Sequence, residues 1–270
     1  MSQYVTFTNP QIAVINESKI VSDNDGDIMT RAMNLVLPQF CKDWKMPKFT
    51  AVYIGKNKNT NILWKVYLRD ATDVAGALGY HEQVNNISIG YVFVNVILTY
   101  GGVILYSKDP TTLTVSQTLC HEIFELLTDS NANLWADDGQ GLSLYAHESC
   151  DPVQSNVVKV VVTKKITVPA KPLKMVNGKF QSSKSQTIIT NTNVALSDWV
   201  LPTWFDPQET KGPFNYLKTL KKPFQIDDGG YAIKLKDGNV DYEFSSKLTE
   251  TTRLFILRKR RICLRLRKKI

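Results

Sequence analysis

The stretch Thr118-Leu119-Cys120-His121-Glu122-Ile123-Phe124-Glu125-Leu126-Leu127 limits the fold of this chain more than any other. Leu119, Ile123 and Leu127 recur at i, i+4 and i+8, and Cys120 and Phe124 widen the same stripe, so the spacing predicts a buried helix. Pro110-Thr111-Thr112 ahead of it offers a helix start, with a threonine hydroxyl to cap free N–H groups. His121 and Glu125 stand four apart and therefore share one face, where they can grip a single ion. Glu122 reaches the same rim.

The pattern is one residue away from H-E-x-x-H, in which two imidazoles bind zinc and the glutamate is the general base. Glu125 stands where the second histidine would be. A third ligand has to come from a later segment folding back, and His147-Glu148-Ser149-Cys150-Asp151 is the obvious source. If that segment is extended, alternate side chains share a face, so His147 points away from Glu148. Glu148 or Asp151 would keep the set rich in oxygen, whereas Cys150 would make it softer and more structural. The plain alternative is a helix with exposed acids and one satisfied histidine.

The bulk properties allow a large core in 270 residues, 43% of them hydrophobic and 21% charged. The net charge of +8 is unevenly placed: residues 253–270 hold nine Lys or Arg and no acid, which leaves −1 for the rest. Four scattered cysteines (Cys41, Cys120, Cys150, Cys263) form no C-x-x-C pair, which argues against a zinc ribbon and suits a reducing compartment. Met1-Ser2-Gln3-Tyr4 does not open a secretory signal, and no apolar run reaches the ~18 residues of a membrane span. The expectation is a soluble cytoplasmic or virion protein without a membrane partner.

In chain order, residues 4–15 read as an extended lead-in broken at Pro10. Ser22-Asp23-Asn24-Asp25-Gly26-Asp27 opens a helix to about Trp44 that Pro38 should kink. The same acids could hold calcium, but their spacing departs from that loop signature, and capping is the favoured reading. Residues 49–54 and 62–68 predict strands joined by a polar turn. A small-residue connection then ends at His81, and residues 87–98 form one β-type run. Past the central helix come a 129–141 loop, β-type runs at 157–168 and 188–196, and a protruding hairpin over 171–184. The aromatic stretch 197–207 looks irregular. Strands around one central helix predict an α+β domain over 1–235, followed by a 236–270 extension with the basic arm.

Several ordered blocks resemble a family of largely uncharacterised bacterial and bacteriophage proteins with a zincin-like signature. They are Ala75–His81, Cys120–Asp129, Glu148–Val153, Ser197–Phe205, and Pro223-Phe224 leading to Gly229-Gly230-Tyr231, spanning roughly residues 22–235. The resemblance implies a zincin-like α+β fold, a mixed sheet packed on the metal-site helix with long loops. It pairs H-E-x-x-E with a later E-x-x-D, which assigns the metal to His121, Glu125, Glu148 and Asp151 and the base role to Glu122. His147 falls outside that pattern. The implied cofactor is one divalent metal, zinc foremost, with calcium or manganese suited to an oxygen-rich set. His81 could add a ligand or an oxyanion donor, or be bonded within a Gly-rich turn. Tyr80 and Trp204 are candidates to line the site, although Trp199, Trp204 and Phe205 read more readily as core.

Two functions follow as expectations. One is a metal-dependent hydrolase of the peptidase kind, acting on a peptide or protein. The other is a bacteriophage virion or assembly protein that keeps the scaffold without catalysis. In the second, the 253–270 arm would meet other virion proteins or nucleic acid, with an oligomer possible. A solvated, partly disordered end is the plain reading of that arm.

Overall fold

The structure, a computed structural model, describes residues 9–245 apart from 57, 75, 86, 169–173, 177, 178 and 182–185. The basic 253–270 arm and the first part of the 4–15 lead-in lie outside the described residues. Strand β1 (Gln11–Asn16) is buried along five of its six residues and lies second from the edge of a five-stranded mixed sheet. Helix α1 (Asp23–Asp43) crosses from β1 to a parallel neighbour, β2 (Thr50–Lys56). Ser22 caps this helix, its Oγ accepting from the Asp25 N–H at 3.0 Å, so the acidic run serves the helix N-terminus. The helix continues through Pro38 to Asp43.

Strand β3 (Trp64–Arg69) pairs in parallel with the other edge of β1, so β2 and β3, consecutive in sequence, are not neighbours. Strand β5 (Ile87–Phe93) is parallel to β3, and β4 (Gly79–Val84) closes this edge antiparallel to β5, giving the order β2-β1-β3-β5-β4. The expected β-type run over 87–98 is cut in two. At Val94 the chain turns into the short helix α2 (Val94–Thr99), which buries Val94 and Ile97; packing of that face overrides the β-branched preference.

The central helix, α3 (Val115–Thr128), starts later than Pro110–Thr112. Thr114 is extended, bridges Val103 and offers its hydroxyl to the Gln117 N–H, whereas Thr112 belongs to a turn closed on Asp109. With α1, it covers one face of the sheet. Ile12, Val14, Val66, Leu68 and Val92, alternate residues of their strands, meet Met33, Phe40, Leu119 and Phe124 in one apolar core. Phe40 and Phe124 stack at 3.9 Å between ring centroids, and Trp199 stands edge-on to both.

Beyond α3 lie the short strands β6 (Trp135–Asp137) and β7 (Leu144–Ala146), and a 3₁₀ turn at Asp151–Val153. The long antiparallel ribbon of β8 (Val157–Val168) and β11 (Gln186–Ser197) packs against α1 and α3. Within the expected 171–184 hairpin, β9 (Lys174–Val176) and β10 (Lys179–Gln181) pair antiparallel; the remainder lies outside the described residues. A second 3₁₀ turn covers Pro202–Phe205. Strand β12 (Tyr231–Lys236) pairs with both β7 and β13 (Asn239–Phe244), completing a sheet ordered β13-β12-β7-β6. This hairpin spans the boundary expected after residue 235, so the folded part continues through β13. The architecture is α+β. Among the described residues, no helix is long and apolar enough to cross a membrane.

Candidate metal centre

One side of α3 faces the apolar core, and the other faces a polar pocket closed by β4 and the 147–153 return segment. His121 and Glu125, one turn apart, lie 3.1 Å from Nε2 to Oε2. Asp151 arrives from the return segment with Oδ1 3.2 Å from the same His121 nitrogen. These three offer ligand atoms mutually close enough for a single ion, and so do His81, Glu125 and Glu148. Glu125 belongs to both groups. The sequence left Glu148 and Asp151 as alternatives beside His121; the structure gives Asp151 to His121 and Glu148 to His81.

The return segment is not extended where it matters. After Ala146 it leaves β7 and winds into the turn that starts at Asp151, with Pro152 in its first positions. Strand alternation therefore does not decide which side chains point inward. Backbone contacts fix the segment: the Cys150 N–H donates to Glu125 Oε1 at 3.4 Å, and the Gln117 amide on α3 donates to the Gln154 carbonyl at 2.9 Å. Gly230 at the head of β12 also holds it, since a Cβ there would lie 2.2 Å from the Pro152 carbonyl oxygen.

His81 lies within β4, paired opposite Gly90, and not in a tight turn. Its Nε2 is 3.1 Å from the Asp129 carbonyl oxygen just past the C-terminus of α3. A carbonyl can only accept, so Nε2 carries the proton and Nδ1 turns toward the carboxylates. Nδ1 stands 3.9 Å from Glu122 Oε2 and 3.8 Å from Glu125 Oε2. Burial alone would lower the His81 pKa, but the adjoining Glu122, Glu148 and Glu125 carboxylates outweigh it and push it up to about 9. Burial, joined by the charges of Asp151 and Glu148, holds Glu125 above the usual carboxylate range against the pull of His121.

Glu122 reaches between α3 and the sheet. The space exists because residue 79 is glycine: a Cβ there would sit 2.6 Å from Glu122 Oε1 and 2.7 Å from the Tyr91 carbonyl oxygen. Gly79 was present in a sequence block but not singled out, and only the close approach of α3 reveals its role. Asp129 likewise shows its role only in the fold. Its carboxylate accepts from the Asn133 and Leu134 N–H groups, while its carbonyl orients His81.

Two expected lining residues lie elsewhere. Tyr80 alternates with His81 along β4 and so faces the opposite side of the sheet, where its hydroxyl donates to Asp73 at 2.8 Å and its ring packs on Tyr91 and Phe93. Trp204 is fully buried in a separate apolar cluster with Tyr145 and Phe224, its indole N–H donating to the Gln225 carbonyl at 2.7 Å. It anchors a loop. His147 packs between Trp44 and Phe205, outside both ligand groups, and burial lowers its pKa. Cys120 and Cys150 are buried beside the pocket, and burial raises both thiols above their usual range.

The pocket is buried and acidic. His81, His121, Glu122, Glu125, Glu148 and Asp151 are each 4% exposed or less. Among the described residues no Lys or Arg is buried, so no side-chain cation other than histidine shares the interior with these four carboxylates. Nitrogen and carboxylate donors 3.1–3.2 Å apart fit a divalent ion, because ligands ~2.1 Å from a common ion stand about 3.0–3.8 Å from each other. The buried His, Glu and Asp groups are therefore close enough to hold a metal ion. In comparisons with family models, curated proteins and solved structures, none matches this chain.

Proposed function

We propose that this chain is a metal-dependent hydrolase on a zincin-like scaffold, acting on peptide bonds. The reading rests on one observation: His121 and Glu125 from one helix face converge with Asp151, and the buried Glu122 carboxylate follows His121 directly. His121, Glu125 and Asp151 would hold the ion. Zinc suits the single imidazole with carboxylates, and the oxygen-rich set also accommodates manganese or calcium. A bound divalent ion would supply Lewis acidity and a lowered water pKa. Glu122 takes the proton from the attacking water, as a buried carboxylate held in place by α3 and the gap at Gly79. His81, with Nε2–H committed to the Asp129 carbonyl, keeps its other nitrogen toward Glu122. Replacing Glu122 with Gln keeps the shape and removes the base. Peptide cleavage should fall about 10²–10⁴-fold while the fold and bound metal persist; cleavage at the wild-type rate would refute the assignment.

A second reading is favoured by the burial itself. Structural metal sites are closed, whereas catalytic ones keep an open position, and all six side chains here are nearly sealed from solvent. In that case the chain is a virion structural or assembly protein using the metal for stability, with arm 253–270 contacting neighbouring proteins or nucleic acid. It requires bound metal, loss of melting temperature on chelation and no cleavage of any peptide. Truncation after Thr252 should then impair assembly; unchanged assembly and nucleic-acid retention would remove the role of the arm.

A further inference from the structure

Glu125 stands between two imidazoles that reach it from different elements. Its Oε2 is 3.1 Å from Nε2 of His121, one turn earlier on α3, and 3.8 Å from Nδ1 of His81 on β4. Each imidazole has a further carboxylate of its own, Asp151 for His121 and Glu148 for His81. The E-x-x-D segment thus delivers one acid to each side of Glu125. A single three-ligand site would need only one of them.

The His81 side has the marks of a ligand set. The Asp129 carbonyl fixes Nε2 as the donor, which leaves Nδ1 facing oxygen atoms 3.8 and 3.9 Å away. Those separations exceed a hydrogen bond. The 3.8 Å to Glu125 matches two ligands of one ion, which stand about 3.4–3.8 Å apart when each lies ~2.1 Å from it at tetrahedral or wider angles. A histidine whose remote N–H is held by a carbonyl is also the usual outer-shell arrangement of an imidazole ligand.

We propose that the centre holds two divalent cations, one at His121, Glu125 and Asp151 and the other at His81, Glu125 and Glu148, with the Glu125 carboxylate bridging them. This rests on the metal-centre reading above and adds a second ion to it. Charge supports the count. In the deprotonated state that metal binding requires, with both imidazoles neutral, Glu122, Glu125, Glu148 and Asp151 carry four negative charges in a pocket without buried Lys or Arg among the described residues. One divalent ion balances two of those charges, whereas two ions balance all four. Nitrogen–oxygen sets of this kind take zinc or manganese, and paired ions of this type would stabilise both the attacking oxygen and the leaving atom of a hydrolysed ester or amide.

The test is metal stoichiometry on the full chain, stripped with chelator and titrated with Zn²⁺, with bound metal quantified after dialysis. Wild type should take up two equivalents. His81→Ala and Glu148→Gln should each retain one, as should His121→Ala and Asp151→Asn. Saturation of wild type at one equivalent, with His81→Ala binding that ion as tightly, overturns the second site and leaves the first. Failure of wild type to bind any metal overturns both. Loading wild type with Mn²⁺ gives a readout that needs no variant. An exchange-coupled electron paramagnetic resonance spectrum at two equivalents supports the bridged pair, and only the six-line spectrum of isolated ions contradicts it.

Discussion

Helices α1 and α3 lie on the same face of the same sheet, yet they are buried in different ways. Helix α1 buries ten of its 21 residues, all apolar or small apart from Thr30, and keeps its ionised groups at the solvent edge. Asp23 and Asp25 sit in its first turn and Lys42 in its last, in the sense the helix dipole favours, and Asp27 pairs with Arg31 in solvent. Helix α3 buries 12 of 14 residues, and these include His121, Glu122 and Glu125. Its first turn has no acid and its last turn no base, so none of its charge serves the dipole. Apolar packing accounts for α1 completely. It accounts for only half of α3; the other half carries His121, Glu122 and Glu125 into the cluster that could hold a metal ion.

The comparison breaks most sharply at the apolar contact the two helices share. Replacing Phe124 with Ala removes the ring stacked on Phe40 and set edge-on to Trp199 and should cost about 3–5 kcal/mol in denaturant unfolding. A loss below about 1 kcal/mol would mean that α3 is not anchored by its apolar side. Next in size is Gly79→Ala, whose methyl would collide with Glu122 and the Tyr91 carbonyl. It should cost about 1–3 kcal/mol and weaken metal binding; a variant with unchanged stability and metal affinity would show that Glu122 does not occupy that gap.

Glu125→Gln separates the two halves of α3 by sign. In metal-free protein it removes a buried charge crowded by Asp151 and Glu148, so stability at neutral pH should rise. With metal present the same change should lower stability. Equal shifts in both states would remove the cation from the explanation. The smallest effects should be alike in the two helices: Ser22→Ala and Thr114→Ala each lose one cap bond and should each cost about 1 kcal/mol by thermal or denaturant unfolding.

The same contrast explains how much could be read from the sequence. Helix α1 was legible because its cap and apolar period are local, and the stripe of α3 was legible for the same reason. The start of α3 was misread because Thr114, and not the threonines after Pro110, is held extended by a bridge to Val103. The parallel insertion of β1 between β2 and β3 has no local signal, since strand order depends on the crossover through α1. Likewise, the i, i+4 pair of His121 and Glu125 follows from helix geometry alone, whereas the division of Glu148 and Asp151 between two imidazoles depends on a 3₁₀ turn and on β4. Tyr80 is next to His81 in sequence yet faces away from the site, because adjacent strand residues face opposite ways.

The most direct test of a cation beneath α3 is the unfolding of chelator-stripped protein as Zn²⁺ is added. Stability should rise with free zinc, reaching about 4 kcal/mol at a thousand times the dissociation constant, and the rise should vanish in a His121→Ala, His81→Ala double variant. Unfolding that is the same at every zinc concentration, with no metal retained after dialysis, would contradict it.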